Sequence, residues 1–376
     1  MQYNRRMQNI YQAKGSTLAE QYEDVGRLFR ESINSSVEKI GKSRTKLLKR
    51  RRLVAERAWD NLKDQSECRE FILLFSAWCN GAMITAQQGM WLMADNLSGC
   101  QTLVIRYASG VALLHTEEEF RDTNHMELHM TSPHTISFSD KGEIFKTLVY
   151  NNLFPGAGLY GWKRDMIVAV DSIFLKEDGI EIVDKPVLAN VVAWMIWRMC
   201  PNEAQPESII KIVNKMGTLI DGYVINVVRS VGGTIQGYKL ILTRDESKIV
   251  RLGEKQGDYL KQVNIVDPDE VEMKWALPPR NIWKGGWKYF TNRIKTLKSH
   301  AKEYQYLSHK TMDKDNLNQV HQVIQKTIFG DLAESYVHAD LGAVCVGFVD
   351  DSIGTSVSCK LNDGILEGLT YIDSEI

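Results

Sequence analysis

The sequence predicts an α+β protein in which a helical segment, residues 1–99, precedes a β-rich part, residues 100–376, the two forming one composite domain. Three observations predict it. Apolar residues recur at helical spacing through most of the first hundred positions. At Gly99 the pattern changes to short β-branched and aliphatic runs broken by turn residues. Strand blocks and helical stretches then alternate, an order that suggests stacked sheets covered by helix layers.

Residues 18–33 carry an apolar stripe with Glu and Arg opposite, residues 35–58 continue it, and residues 68–93 are more apolar. Residues 102–115, TLVIRYASGVALLH, read as a hairpin around Ser109-Gly110. Further strands are expected over 144–150, 158–175, 223–230 and 237–252. MIVAVDSIF at 166–174 and YKLILT at 238–243 are aliphatic enough for central strands. Between them, 186–200 and 205–216 read as helices. The first has Val187, Val191, Trp194 and Met195 on one side, and Pro206 suits the first turn of the second. The tail repeats the scheme with helices at 287–303 and 315–325 and strands at 342–349 and 354–360.

Composition removes several classes of function. The 376 residues include 46 Lys+Arg and 47 Asp+Glu, and 44% are hydrophobic, enough for a sizeable core. No run approaches the ~18 to 20 apolar residues of a membrane span. The opening MQYNRRMQNI is basic with no apolar stretch behind it, so no secretory signal and a cytoplasmic location are expected. Six cysteines without CxxC spacing argue against a disulfide scaffold and a structural zinc site. The basic run at 42–57 reads as a solvated helix face with Leu47, Leu48 and Leu53 turned inward. Without interleaved aromatics it does not point to nucleic acid. His125, His129 and His134 lie on strand or loop with no further ligands, so no metal is expected. Gly232-Gly233 and Gly285-Gly286 read as turns, so no nucleotide cofactor is expected either.

Cys68, Cys79, Cys200, Cys345 and Cys359 sit inside apolar runs, where cysteine behaves as a small hydrophobe. Cys100 differs, because it follows Gly99 at the junction between the helical part and the hairpin. A thiol there could attack the Gly99 carbonyl and pass through a thioester to release a free α-amine on Cys100. That amine would then serve as base for its own thiol. With the Gly99–Cys100 bond intact, His115 is the alternative partner, in a Cys–His pair.

Cys100-Gln101-Thr102 and the following LVIRYASGVALLHTEEEF resemble the start of the mature β chain in the isopenicillin N acyltransferase-like (acyl-coenzyme A:6-aminopenicillanic acid acyltransferase) family. Leu153-Phe154-Pro155-Gly156, Leu159-Tyr160-Gly161-Trp162 and the strand after them are similar to that family's LPG segment. Gly15-Ser16-Thr17 is similar to the opening of its α chain. The resemblance extends weakly over most of the chain. It implies a four-layer αββα N-terminal nucleophile hydrolase sandwich and autocatalytic cleavage at Gly99–Cys100 of a zymogen. It also implies hydrolysis or transfer of an acyl group from a linear amide or acyl thioester through a Cys100 thioester, without a cofactor.

Several family positions are replaced. The Asn-x-Asp after the hairpin is His115-Thr116-Glu117-Glu118-Glu119, with Glu118 the carboxylate expected to orient the nucleophile. The oxyanion-hole Asn is absent before Tyr238, and the Gln236 amide and Tyr238 hydroxyl are the expected substitutes. Lys163 replaces a further Asn, and the functional Arg has no match near residues 333–338. Place in the LPG-like segment makes Trp162 and Arg164 substrate-pocket candidates. The cluster Trp275, Trp283, Trp287, Tyr289 and Phe290 is either core or a wall of the acyl pocket, with Trp283 and Trp287 its candidates. The missing residues also support a rival, a catalytically silent relative that binds a ligand or partner.

The near-neutral total hides two unlike parts. Residues 1–99 hold 16 basic and 11 acidic residues, and residues 100–376 hold 30 and 36. Cut at Gly99, the chain would give a basic helical fragment and an acidic β-rich one that attract each other.

Overall fold

The computed structural model describes residues 10–44, 46–94, 99–120, 133–156, 160–173, 183–244, 246–263, 286–309, 339–350 and 354–361. Over these the chain is mixed α+β, with two large sheets and one small one. After a short strand β1 (Tyr11–Gln12) come five helices: α1 (Leu18–Leu28), α2 (Arg30–Lys42), α3 (Lys46–Lys63), α4 (Arg69–Ala82) and α5 (Ala86–Ala94). The Gly15-Ser16-Thr17 opening has a local purpose. Thr17 caps α1, accepting from Glu20 N, while the Glu20 carboxylate accepts from the Ser16 and Thr17 amides.

The hairpin forms as expected, as β2 (Gly99–Arg106) and β3 (Gly110–Phe120). β4 (Pro133–Asp140) and β5 (Glu143–Tyr150) make a second hairpin. The expected strand over 158–175 divides at an Arg164-Asp165 turn into β6 (Tyr160–Lys163) and β7 (Met166–Ile173). Then follow β8 (Pro186–Val187), α6 (Ala189–Arg198), α7 (Pro206–Met216), β9 (Thr218–Leu219), β10 (Gly222–Val231), β11 (Thr234–Leu242), β12 (Ser247–Arg251) and β13 (Tyr259–Val263). Last come α8 (Gly286–Ser299), α9 (Ala301–Ser308), β14 (Ala339–Asp350) and β15 (Gly354–Leu361). The expected helix at 315–325 lies outside the described residues.

The larger sheet runs β1-β4-β5-β6-β7-β10-β11-β12 and the smaller β13-β2-β3-β14-β15. Strand alternation gives each sheet two apolar faces. On the larger, Phe138, Phe145, Val168, Ile225 and Leu240 face the helices and share one core with Tyr22, Phe71, Phe75, Trp78, Trp194 and Trp197. Its other face, through Tyr160, Trp162, Ile167, Ala169 and Val228, meets Val104, Val111, Leu113, Cys345 and Val357 of the smaller sheet. The smaller sheet's far side meets α8 and α9. Buried Arg293 of α8 donates from Nε and Nη2 to Gln101 Oε1 at 3.2 and 2.9 Å, and Tyr304 of α9 lies 4.8 Å, ring to ring, from Tyr259.

Two expectations about packing fail. Leu48 is buried, but Leu53 is half exposed on α3. Arg52 and Arg57 of the basic run instead reach back to the carbonyls of Gly41 and Val183, so part of that face serves the fold. No described helix is long and apolar enough to cross a membrane.

Candidate active site

The nucleophile candidate opens a strand. Cys100 is the second residue of β2 and is 1% exposed. Among the other cysteines, Cys68 and Cys79 are buried in or beside helices, and burial pushes both thiols up, Cys68 to about 11. They are the inert hydrophobes expected of them. Cys200 is exposed after α6, not held in an apolar run as expected, because the helix ends before it. Cys345 departs from expectation, because it is disulfide-bonded and Cys359 stands directly across from it on β15. Opposed positions on neighbouring antiparallel strands lie within ~5.5 Å, so strand pairing creates a proximity that sequence spacing conceals.

Antiparallel pairing sets Cys100 opposite Glu117 and Thr102 opposite His115. Paired residues share a face, and this one is turned toward the larger sheet. There the Thr102 hydroxyl donates to Asp171 Oδ2 of β7 at 2.7 Å, and Asn226 Nδ2 of β10 donates to the same oxygen at 2.7 Å. His115 Nδ1 lies 2.8 Å from Thr102 Oγ1, and His115 Nε2 lies 2.6 Å from Glu117 Oε1. Burial raises the pKa of the Asp171 carboxyl, while His115, Thr102 and Asn226 pull it the other way. Beside the thiol, Cys100 Sγ is 4.0 Å from Ser172 Oγ, and Tyr223, paired with Ser172 across β7 and β10, is within electrostatic reach of Cys100. Asn190 of α6 donates to Met93 O at 2.8 Å, tying α6 to the end of the helix that leads toward the nucleophile.

The structure brings together some of the residues expected from sequence and separates others. Cys100 and His115 share a face, but both His115 nitrogens are already engaged, by Thr102 and Glu117. Glu118 pairs with Gly99, and its side chain lies outside the described residues. Glu117 is the carboxylate opposite the thiol. Tyr238 is four positions along β10 from Tyr223, roughly 13 Å, and its hydroxyl donates to Ala204 O among the helices. Gln236 is six positions away, roughly 20 Å, and accepts from Arg229. Neither can hold an oxyanion at Cys100, because both lie toward the other end of their strand. Trp162 is core between the sheets, and Arg164 turns outward at the β6–β7 turn, also distant from Cys100. Trp283 and the side chain of Trp287 lie outside the described residues, as do His125 and His129. No metal-binding group of His, Cys, Asp and Glu occurs among the described residues.

Thr102, Asp171, Asn226 and Ser172 are site residues that the sequence did not flag. A signal existed: Asp171 is the one charged residue of MIVAVDSI, with Ser172 beside it, and Asn226 is the one amide of YVINVV, both largely apolar strands. Burying either without a partner is costly, so each called for one on a facing element.

The chain matches no protein-family model and no curated protein.

Proposed function

We propose that the protein is a cysteine amidohydrolase or acyltransferase of the N-terminal nucleophile type, activated by cleavage at Gly99–Cys100. The observation that carries this reading is the placement of Cys100. It is a buried thiol at the start of a central strand, directly after a glycine, with the Glu117 carboxylate opposite. The layers support it too. Helices, the larger sheet, the smaller sheet and the α8–α9 pair succeed one another in the order of an αββα sandwich.

In the first step the thiol adds to the Gly99 carbonyl, the peptide C–N bond breaks, and Gly99 is held as a thioester. Water releases it, leaving a Gly99 carboxylate and a free Cys100 amine. In turnover the amine takes the thiol proton, the thiolate adds to an amide or thioester carbonyl, and the leaving group departs with that proton. Water or an amine then accepts the acyl group. Glu117 faces the ammonium formed in this cycle. Ser172, whose hydroxyl is 4.0 Å from Cys100 Sγ, and its strand partner Tyr223 take the place expected of Gln236 and Tyr238.

Intact mass separates this reading from a ligand-binding relative, which the remote Gln236 and Tyr238 favour. Purified protein and Cys100→Ala would be incubated with N-acetylcysteamine thioesters of several chain lengths. Wild type should resolve into two chains cut at Gly99 and gain one acyl mass on the Cys100 fragment, with neither change in the variant. A single unacylated wild-type chain would sink the proposal.

A further inference from the structure

Among the described residues, Arg229 is a buried cation with no carboxylate bonded to it. It lies on β10 six positions from Tyr223, roughly 20 Å, and so is remote from Cys100. The residue is 0% exposed and its acceptors are all neutral. Pro201 O is 2.5 Å from Nη1, and Gln205 Oε1 and Gln236 Oε1 are each 2.7 Å from Nη2. The guanidinium also stands 5.7 Å from the centre of the Tyr238 ring. Arg229 Nε has no partner among the described residues. An arginine does not shed its proton to escape burial, so an anion at Nε would offset the cost of its charge.

The groups around Arg229 are rich in donors. Arginine has no acceptor, so Gln205 and Gln236 turn their oxygens toward it, which leaves both amide NH2 groups to donate outward. Both glutamines are exposed. Gln205 also precedes α7 and makes no side-chain cap, so the first turn of α7 adds the Ser208 amide. Arg251 of β12, paired with Tyr238, brings a second guanidinium. Among the described residues the one carboxylate bonded to either arginine is Glu207, which meets Arg251 with both side chains more than half exposed. Such a surface pair contributes little and rearranges readily. Glu203, in the connection between α6 and α7, turns its carboxylate to Cys200 N at 3.3 Å. Two guanidiniums therefore share one exposed carboxylate.

A ligand for these groups must carry negative charge and accept hydrogen bonds on several sides. A phosphate group does both, and a guanidinium edge can bind two of its oxygens at once. Nε and Nη2 lie on one such edge. One phosphate oxygen would take the Nε proton, and a second would displace a glutamine oxygen from Nη2. The displaced glutamine then turns its NH2 toward the phosphate.

We propose that Arg229, Gln205, Gln236 and the amino end of α7 form a phosphate-binding site, at the far end of β10 from Cys100. The phosphate is a free ion or a monoester on a larger molecule, and the exposed glutamines form the side from which either would enter. The site is independent of the chemistry assigned to Cys100.

Thermal unfolding of the full-length protein tests this, in inorganic phosphate, in glycerol 3-phosphate and in sodium chloride at equal ionic strength. Phosphate should raise the midpoint saturably, by about 2 °C at ten times its dissociation constant, and chloride should not. A response to glycerol 3-phosphate at equal or lower concentration assigns the site to a phosphate monoester. A response to inorganic phosphate alone assigns it to the free ion. Gln236→Glu places a carboxylate on Arg229, so it should raise the midpoint in chloride and shift the phosphate response to at least tenfold higher concentration. Equal wild-type midpoints in all three salts would overturn the site. So would an undiminished phosphate response in Gln236→Glu, or a midpoint in chloride no higher than that of wild type. If Gln236→Glu does not fold, Gln205→Glu makes the same comparison from the other glutamine. Acylation of Cys100 does not enter the readout, so failure of this site and failure of the nucleophile reading remain separate results.

Discussion

Glu117 is the cross-strand partner of Cys100, and its Oε1 lies 2.6 Å from His115 Nε2. One carboxylate thus connects the candidate nucleophile to the polar chain between the sheets, and the first prediction concerns it.

Glu117→Gln keeps the shape of the side chain and removes its charge. The ammonium formed when the Cys100 amine takes the thiol proton then loses its charged partner. Hydrogen bonds to charged groups contribute about 1.5–3 kcal/mol, so acylation of Cys100 by a thioester should slow by roughly 10- to 100-fold. Mass spectrometry against time measures it, and an unchanged rate would exclude Glu117 from the chemistry.

Helices α1 and α4 meet at two glycines. A Cβ on Gly26 would stand 2.1 Å from Trp78 O, and one on Gly81 would stand 1.9 Å from Glu23 O. Both contacts are to backbone, which cannot step aside. Overpacking costs typically ~1–3 kcal/mol, and Gly81→Ala should lower stability by at least that much in urea denaturation. A midpoint equal to wild type would show that the crossing can widen freely.

Phe154 comes from the LPG-like segment, and its ring is 5.1 to 6.2 Å from those of Tyr22, Phe71, Phe75, Trp78 and Trp194. Phe154→Ala should cost about 3–5 kcal/mol through lost contacts and the cavity left behind. Thermal unfolding reads this directly, and a loss below 1 kcal/mol would mean that the cluster collapses to fill the space.

Asp221 accepts from Ala189 N at the start of α6, and burial raises its carboxyl to about 6. An acid whose folded pKa exceeds its unfolded value binds more protons when folded. Its contribution to stability therefore falls as pH rises from about 4 to about 6 and is level above that. Asp221→Asn keeps an oxygen to accept from Ala189 without this penalty. The stability difference between variant and wild type should grow in the variant's favour across that interval, as measured by denaturation at several pH values. A difference constant from pH 4 to 7 would contradict it.

Local patterns carried much of the architecture. The apolar stripe of residues 18–33, the 102–115 hairpin and the two helices after residue 186 all form near their expected places, because periodicity and turn chemistry act over a few residues. Errors arose where one run hid two strands, as at the Arg164-Asp165 turn, or where a neighbour decided a face, as with Leu53. The candidate site was legible only in part. Cys100 stood out by its place after Gly99, and His115 by the hairpin. Gln236 and Tyr238 were expected nearby because linear order does not tell which end of a strand reaches the site.

By itself, then, the sequence determined the α+β class, the helical first part and the exceptional position of Cys100, since each is a matter of short-range spacing. Tertiary structure alone decided that Glu117 faces the thiol and that Thr102 meets Asp171, 69 residues away. A strand presents alternate residues to opposite faces, and only the docking of two sheets establishes which polar groups share the interior. Groups that share it must then satisfy one another, because water is excluded there.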